Sequence, residues 1–468
     1  MSQSVLLRLR RAWEGVRRPG SFARNLVIML SGSTLSTLVG VLLTPVVSRI
    51  YPPAAYGQFA VYNALISNLN LLSTLAYPGA LLLARRRSQF LALVQLSVLV
   101  SVASSALLVL VLVWLGPWLM RHLHVEALGN WLYTLPVMLL VFNLNHVMST
   151  WYMRDKLFGK RVGVEMATNL GGRAFTIGYG LLSNGHVAGL LLADFLNRVV
   201  ATVTLMAGSI RHEFGALRRQ FSGRWLRLVA HRYRNFPLLY LPGGYVYILS
   251  TQLPVFLLAP AFGTTAVGLY SFSLGLLEMP VNVLGAAIAP VFQQKAAETY
   301  QTEPERLPGI TLRLYNQLLY LGVLPFSIVT VYGDVLFRVA FGARWEPAGV
   351  FTGYLGFYAL FKLLSLATTG IYTVTGRQKY YLYANLLLLL VRTLCLGVGI
   401  SQHNLDLTLL LFGVGSLLAT FAVDLHVLHL LRLPVLRIAL RMLGLIGLAW
   451  LLTWLSRLGL AHYLPFFR

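Results

Sequence analysis

Apolar runs of about twenty residues recur from Asn25 almost to the end of this chain, and that recurrence limits its fold more than any other feature. A spanning α-helix needs roughly 20 mainly apolar residues, because each advances the chain about 1.5 Å through a hydrocarbon layer about 30 Å thick. The runs read as spans over 25–48, 57–83, 89–116, 130–152, 162–183 and 186–208, then 236–259, 265–291, 310–332, 348–371, 380–400 and 407–428. A weaker thirteenth lies at 438–455. With 57% hydrophobic and only 11% charged residues, the chain reads as an all-α polytopic membrane protein. The first run is too long for a signal-peptide core and lacks a small-residue cleavage site, so it is expected to remain as the first helix. Cys395, the single cysteine, lies within a span, which excludes an internal disulfide and argues against a thiolate metal site.

A net charge of +24 invites the thought of nucleic acid, so the positions of the charges matter. With the N-terminus in the cytoplasm, the inner loops receive the leader arginines Arg8 to Arg24, the run Arg85 to Arg87, the group Arg154, Lys156, Lys160 and Arg161, and the seven arginines from Arg211 to Arg234. The outer loops hold only Arg49, Arg121, Arg338 and Arg344. This asymmetry is the positive-inside pattern, and it accounts for the basic balance with no nucleic-acid partner.

The chain also repeats itself. The stretch YPPAAYGQFAVYNAL from Tyr51 is matched by FGTTAVGLYSFSLGL from Phe262, so that Arg24-Asn25 pairs with Arg234-Asn235, Gly57 with Gly268 and Pro78 with Pro290. Each half has six spans, so equivalent helices enter the membrane in the same direction. The pattern predicts two six-helix lobes, related by an axis along the membrane normal, around a central cavity. The expected divisions are a basic amphipathic leader at 1–23, an N-lobe at 24–208, a linker at 209–235, a C-lobe at 236–432, and a C-terminal helix and tail at 433–468. In the linker, Phe214, Leu217, Phe221, Trp225 and Leu228 recur at steps of three and four among arginines, as in an amphipathic helix lying on the inner leaflet.

Polar residues at membrane depth mark candidate sites. Asn63, Ser67, Asn70 and Thr74 fall on one face of the second helix; Ser271, Gly275, Glu278 and Asn282 repeat that spacing in the second half. Such a stripe suits a water-filled cavity, although Ser and Asn also bond helices to one another. Arg173 stands about eleven residues, or about 16 Å, into its span, and Arg392 and Arg198 are similarly central. Lys362 shares a stripe with Tyr354, Tyr358, Ser365 and Thr369, and Asp194 and Glu278 are the central acids, with Glu165 and Asp424 nearer the cytoplasmic ends. Asp194 and Arg198, four apart, suit an ion pair. Arg173, Arg392, Lys362 and Arg198 are candidates to hold an anion, and Glu278 and Asp194 to carry a proton. Tyr240, Tyr245 and Tyr247 surround Pro242-Gly243-Gly244, where the helix is expected to break or bend; aromatic faces there suit sugar rings as well as packing.

The basic-Asn start of the first helix, the YPPAAYGQFAVYNAL opening, the second-half VGLYSFSLGLLEMPVNVLGAAIAPVF and the twelve-span layout together resemble the polysaccharide transport family. These are the O-antigen and lipid-linked oligosaccharide flippases of the multidrug/oligosaccharidyl-lipid/polysaccharide exporter superfamily. The resemblance covers residues from about 24 to 430; the thirteenth segment departs from the twelve- or fourteen-span plan. It implies a bacterial inner-membrane protein with a cationic cavity that moves a polyprenyl-diphosphate-linked repeat unit to the periplasmic leaflet by alternating access. Lipopolysaccharide or other polysaccharide assembly is the implied context, with the polymerase machinery as a candidate partner beside the bilayer.

Two other classes compete. A drug or cation exporter of the same superfamily wants membrane-embedded acids in the first lobe, whose first two spans have none. A membrane glycosyltransferase or ligase wants catalytic groups on sizeable outer loops; the longest, Tyr332 to Glu346, offers Asp334, Arg338, Arg344 and Glu346, and another holds His122 and His124. No nucleotide-binding, metal-ligand or nucleophile motif is present, so the expectation is a transporter with no cofactor, no metal and no catalytic residues.

Overall fold

The computed structural model describes residues 37–84, 86–122, 126–208, 215, 217, 219 and 222–463. The basic leader, the start of the first span, Arg85, His124 and the linker residues Phe214 and Phe221 lie outside the described residues. Everything regular among the described residues is helical: α1 (Thr37–Ile50), α2 (Pro53–Thr74), α3 (Arg87–His122), α4 (Leu135–Arg154), α5 (Phe158–Leu182), α6 (Ala188–Ala207), α7 (Gly223–Arg232), α8 (Leu241–Thr302), α9 (Leu307–Phe341), α10 (Glu346–Leu364), α11 (Gln378–Ser401), α12 (Leu405–Leu430) and α13 (Val435–Tyr463). Among them nine helices are long and apolar enough to cross a membrane, or ten if the bent pair at α2 is one span. This all-helical membrane architecture is the expected fold class.

The helices differ from the expected spans where backbone chemistry intervenes. α2 stops at Thr74 and turns by 61° into a 3-10 segment, Tyr77–Leu83. Leu75 and Ala76 take left-handed φ values of 50° and 57° there, and Pro78 follows, which disfavours a helical residue before it and has no N–H to donate. The spans expected at 236–259 and 265–291 form one 62-residue segment, α8, interrupted at Gly263 (φ 81°, ψ 174°), a conformation that glycine alone adopts without strain. Pro242-Gly243-Gly244 does not end the helix; the five-residue π-helical turn Phe236–Tyr240 immediately precedes it. The wider turn, in which Leu241 N–H bonds to Phe236 C=O, loosens the helix just where Pro242 offers no donor. α5 is 25 residues long but carries Arg161, Glu165 and Arg173, which leave it less apolar than the other long helices.

The chain forms two compact units: one takes Met1–Tyr51 and Tyr62–Tyr245, the other Pro52–Val61 and Val246–Arg468. In the first, Phe90, Leu93, Trp151 and Tyr152 form a buried core, with the Phe90 and Trp151 rings edge to face at 5.1 Å. Asp155 closes its end, accepting from both Arg87 terminal nitrogens (2.9 and 3.3 Å) and from Trp151 Nε1 (3.1 Å), while Arg154 lies 4.2 Å over the Phe90 ring. α7 docks on this core through Val229, which is buried; Leu217 packs beside it, while Trp225 and Leu228 remain exposed.

In the second unit, α9 and α10 pack through small residues that let backbones approach: a Cβ on Gly349 would stand 2.2 Å from Gly333 O, and Thr352 Oγ1 donates to Val329 O at 2.9 Å. α13 is tied to α9 by Arg457 and Asp334 (2.5 Å), by Tyr332 and Ser456 (2.8 Å), and by Arg441 and Tyr320 (2.5 Å).

Candidate functional site

A polar constellation carried by the long apolar helices lies inside the second unit. It is built by Ser250, Tyr270 and Glu278 from α8, Tyr358 and Lys362 from α10, Arg392 from α11 and Ser416 from α12. Tyr358 and Lys362 are one turn apart on α10, so that helix offers a hydroxyl and an ammonium on the same face. Lys362 Nζ meets Glu278 Oε1 at 2.5 Å, and the two side chains are 26% and 21% exposed. Tyr247 on α8 is within electrostatic reach of the same ammonium.

Arg392 is 5% exposed and is caged by neutral groups. Its Nη1 donates to Ser250 Oγ at 2.8 Å and to Ser250 O at 3.2 Å, its Nη2 to Tyr358 OH at 2.8 Å, and its Nε to Ser416 Oγ at 3.3 Å. Among the described residues no carboxylate forms an ion pair with it. The Tyr270 hydroxyl is buried without a hydrogen bond among the described residues, and lies within electrostatic reach of Tyr358, Glu278 and Arg392. Two cations and one acid therefore share a cluster otherwise made of hydroxyl groups. An incoming anion would meet donors held only by neutral acceptors at Arg392, and a carboxylate competitor at Lys362.

The other predicted residues divide by unit. In the first, Arg173 is exposed on α5, makes no hydrogen bond or ion pair among the described residues, and rests near α1, where a Cβ on Gly40 would stand 3.3 Å from its Nη2. Arg198 and Asp194 form the i,i+4 pair that their spacing suggests, at 3.1 Å, with the guanidinium carbon 4.4 Å above the Phe142 ring. On α2, Asn63, Ser67 and Asn70 are half-buried, but Thr74 is buried and donates back to Asn70 O at 3.1 Å, serving the helix end. Tyr240 is exposed beside Phe236, with centroids 5.8 Å apart, and Tyr245 is half-buried. In the second unit Tyr247 and Asn282 are exposed on α8.

Sequence reasoning missed two groups. Ser250 and Ser416 complete the Arg392 cage, with Tyr270 within electrostatic reach, yet the two serines come from helices far apart in the chain and carry no periodic signal. A second polar seam joins α2, α3 and α4: Asn143 Nδ2 donates to Ser73 Oγ at 2.9 Å and Ser104 Oγ to Ser73 O at 2.6 Å. Ser73 adjoins the predicted stripe and bonds helices together. An apolar groove of about 940 Å³ also opens between α5 and α6, lined by Gly163, Gly171, Phe175, Asn197 and Val200, with Lys160 contributing to its wall.

Comparison with known proteins gives this geometry a context. No curated protein sequence matches. Among solved structures, the chain is similar to an inward-facing multidrug resistance MATE family transporter of the MOP superfamily, at 15% identity over 90% of this chain and 98% of that one, TM-score 0.63. It is similar as well to the lipid II flippase MurJ in an inward closed conformation, at 11% identity over 93% and 99%, TM-score 0.60. A third similar structure is a MOP superfamily transporter from Pyrococcus furiosus whose binding pocket is described as having reverse polarity, at 15% identity over 87% and 94%, TM-score 0.56. At such identities the likeness is one of fold. The sequence itself matches the family model described as polysaccharide biosynthesis protein over residues 46–349, well over half of its length, and the chain belongs to that family.

Proposed function

We propose that this protein is a flippase that carries a polyprenyl-diphosphate-linked oligosaccharide, such as an O-antigen or other polysaccharide repeat unit, across the bacterial inner membrane by alternating access. The observation that carries the reading is the cluster around Arg392 and Lys362, in which two cations face a single acid at membrane depth. Arginine suits a diphosphate because its planar fork donates paired hydrogen bonds to phosphate oxygens. In the resting protein Glu278 occupies the place of the anion on Lys362; the diphosphate displaces it and draws on Arg392 at the cost of neutral hydrogen bonds alone. Arg173 offers a further phosphate contact in the first unit, Tyr247 and the α2 polar residues offer contacts for sugar, and the α5–α6 groove offers an apolar bed for part of the prenyl chain. Arg198, already paired with Asp194, is the weakest phosphate candidate.

On this reading the N-terminus is cytoplasmic, the halves 24–208 and 236–432 are the moving lobes, and residues 209–235 tether them. A membrane potential negative inside would favour outward movement of the anionic head by about 2.3 kcal/mol per charge per 100 mV. The chain performs no bond-making chemistry on this reading, and the polymerase machinery receives its product.

The test is complementation of a strain lacking its own oligosaccharide flippase, with Arg173→Ala, Arg392→Ala and Lys362→Ala compared with the wild type at matched membrane abundance. Surface polysaccharide restored by the wild type and lost in the Arg392 and Lys362 variants is the expected result. Rescue by every variant would remove the proposed site while leaving the activity. Drug export without polysaccharide rescue would favour an exporter.

A further inference from the structure

Asp424, on α12, is fully buried, and its neighbours are unlike those of the other membrane acids. Glu278 and Asp194 each have a cation. Among the described residues Asp424 has only hydroxyl partners: Ser365 Oγ lies 3.0 and 3.1 Å from its two carboxyl oxygens, Thr368 Oγ1 2.5 Å from Oδ1, and Tyr315 OH 3.4 Å from Oδ2. No lysine, arginine or histidine forms an ion pair with it among the described residues. A carboxylate in such a place keeps its charge only through those three donors, whereas the neutral acid needs no counter-charge.

Two of the donors have somewhere else to go. Ser365 Oγ is also 3.0 Å from Phe361 O, and Thr368 Oγ1 is 3.2 Å from Ser365 O. A hydroxyl carries one proton and can serve one strong acceptor at a time. One alternative acceptor, Phe361 O, belongs to the last turn of α10 and the other, Ser365 O, opens the 3-10 turn Ser365–Ala367 that follows it, ahead of the short turn Ile371–Val374. We infer that Asp424 is a proton-binding group, and that its protonation hands the Ser365 and Thr368 hydroxyls from the carboxyl oxygens to the backbone carbonyls of Phe361 and Ser365. The proton comes from solvent and forms the O–H bond of the acid. The neutral acid then donates to one of the two hydroxyl oxygens, and the junction after α10 gains two hydrogen bonds along its own backbone.

The groups facing Asp424 allow this. α9 contributes Tyr315, and the turn after Gly370 contributes Tyr372, within electrostatic reach and bonded through its hydroxyl to His426 Nδ1 at 2.9 Å. His426 shares α12 with Asp424, and it is His426 that feels the charges of His429 and Arg377. α8 turns Phe292 and Ala296 toward this region, which are apolar. The site stands independently of the proposed substrate, because it is defined by the carboxyl and its hydroxyl donors alone.

Infrared difference spectra of the full-length protein in lipid nanodiscs, acid buffer minus alkaline buffer, test the inference. The expected result is a protonated-carboxyl stretch that appears on acidification of the wild type and is lost in Asp424→Asn. The double variant Ser365→Ala/Thr368→Val keeps the acid but removes two donors to its anion, so the midpoint of the same band should move to higher pH, on the order of one unit. It also decides the matter if Asp424→Asn does not fold. A band unchanged in Asp424→Asn, or a double variant whose midpoint stays put or falls, would overturn the inference.

Discussion

Gly57 and Gly268 cross backbone to backbone, and they do so reciprocally. A Cβ on Gly57 would stand 1.7 Å from Thr264 O, and a Cβ on Gly268 would stand 1.8 Å from Pro53 O. Pro53 is to Gly57 as Thr264 is to Gly268, so each repeat presents the same pair of positions to the other. The similarity of the two quoted stretches thus has a physical cause: a self-complementary contact needs the same small residue on both sides.

Gly57→Ala and Gly268→Ala should each force the two helices apart, because the obstructing atoms are backbone and cannot rotate away. The expected destabilisation is about 1–3 kcal/mol, seen as a fall of several degrees in thermal midpoint. Gly163→Ala is the control: its Cβ would meet nothing, and in a helix interior the change should be neutral or stabilising by up to about 1 kcal/mol. Equal midpoints for all three variants would contradict the crossing.

Lys362→Met should be more harmful to the folded protein than Lys362→Met/Glu278→Gln. The single change leaves a carboxylate without its cation at membrane depth, a loss of about 3 kcal/mol when such a pair is fully buried and less here because both side chains keep some exposure. The double change removes both charges. Thermal unfolding should rank the double variant above the single one, although transport is lost in both.

Arg392→Lys should fail nearly as completely as Arg392→Ala. One ammonium cannot reproduce a fork whose three nitrogens reach Ser250, Tyr358 and Ser416 at once. Polysaccharide restored at near wild-type level by the lysine variant would show that charge alone suffices.

How much of this was legible in advance depended on sequence distance. The Asp194–Arg198 pair could be read because four residues on one helix place two side chains together. The Glu278–Lys362 pair could not, since the two lie on separate helices 84 residues apart. Arg392 looked the same in sequence as Arg173, yet one is caged and the other exposed; what separates them is Ser250 and Ser416, contributed by other helices. On the α2 stripe, Thr74 spends its hydroxyl on the helix end and its neighbour Ser73 takes the interhelical bonds. The span expected at 57–83 ran unbroken through Pro78, and the 61° turn that interrupts it there required the backbone itself.

Gly171→Leu should reduce transport without loss of stability. A Cβ there meets nothing within 4 Å, so the larger side chain fills the α5–α6 groove without pressing on the fold. An unchanged thermal midpoint with impaired complementation is expected; full complementation would remove the groove from the transport path.

The most direct measurement is translocation by the purified protein in proteoliposomes, using a fluorescent polyprenyl-diphosphate oligosaccharide and scoring the fraction that reaches the opposite leaflet. The account predicts movement above protein-free vesicles for the wild type and loss of that movement in Arg392→Ala and Lys362→Ala. Movement no faster than in protein-free vesicles, from a folded wild-type protein supplied with a membrane potential and its own repeat unit, would contradict it.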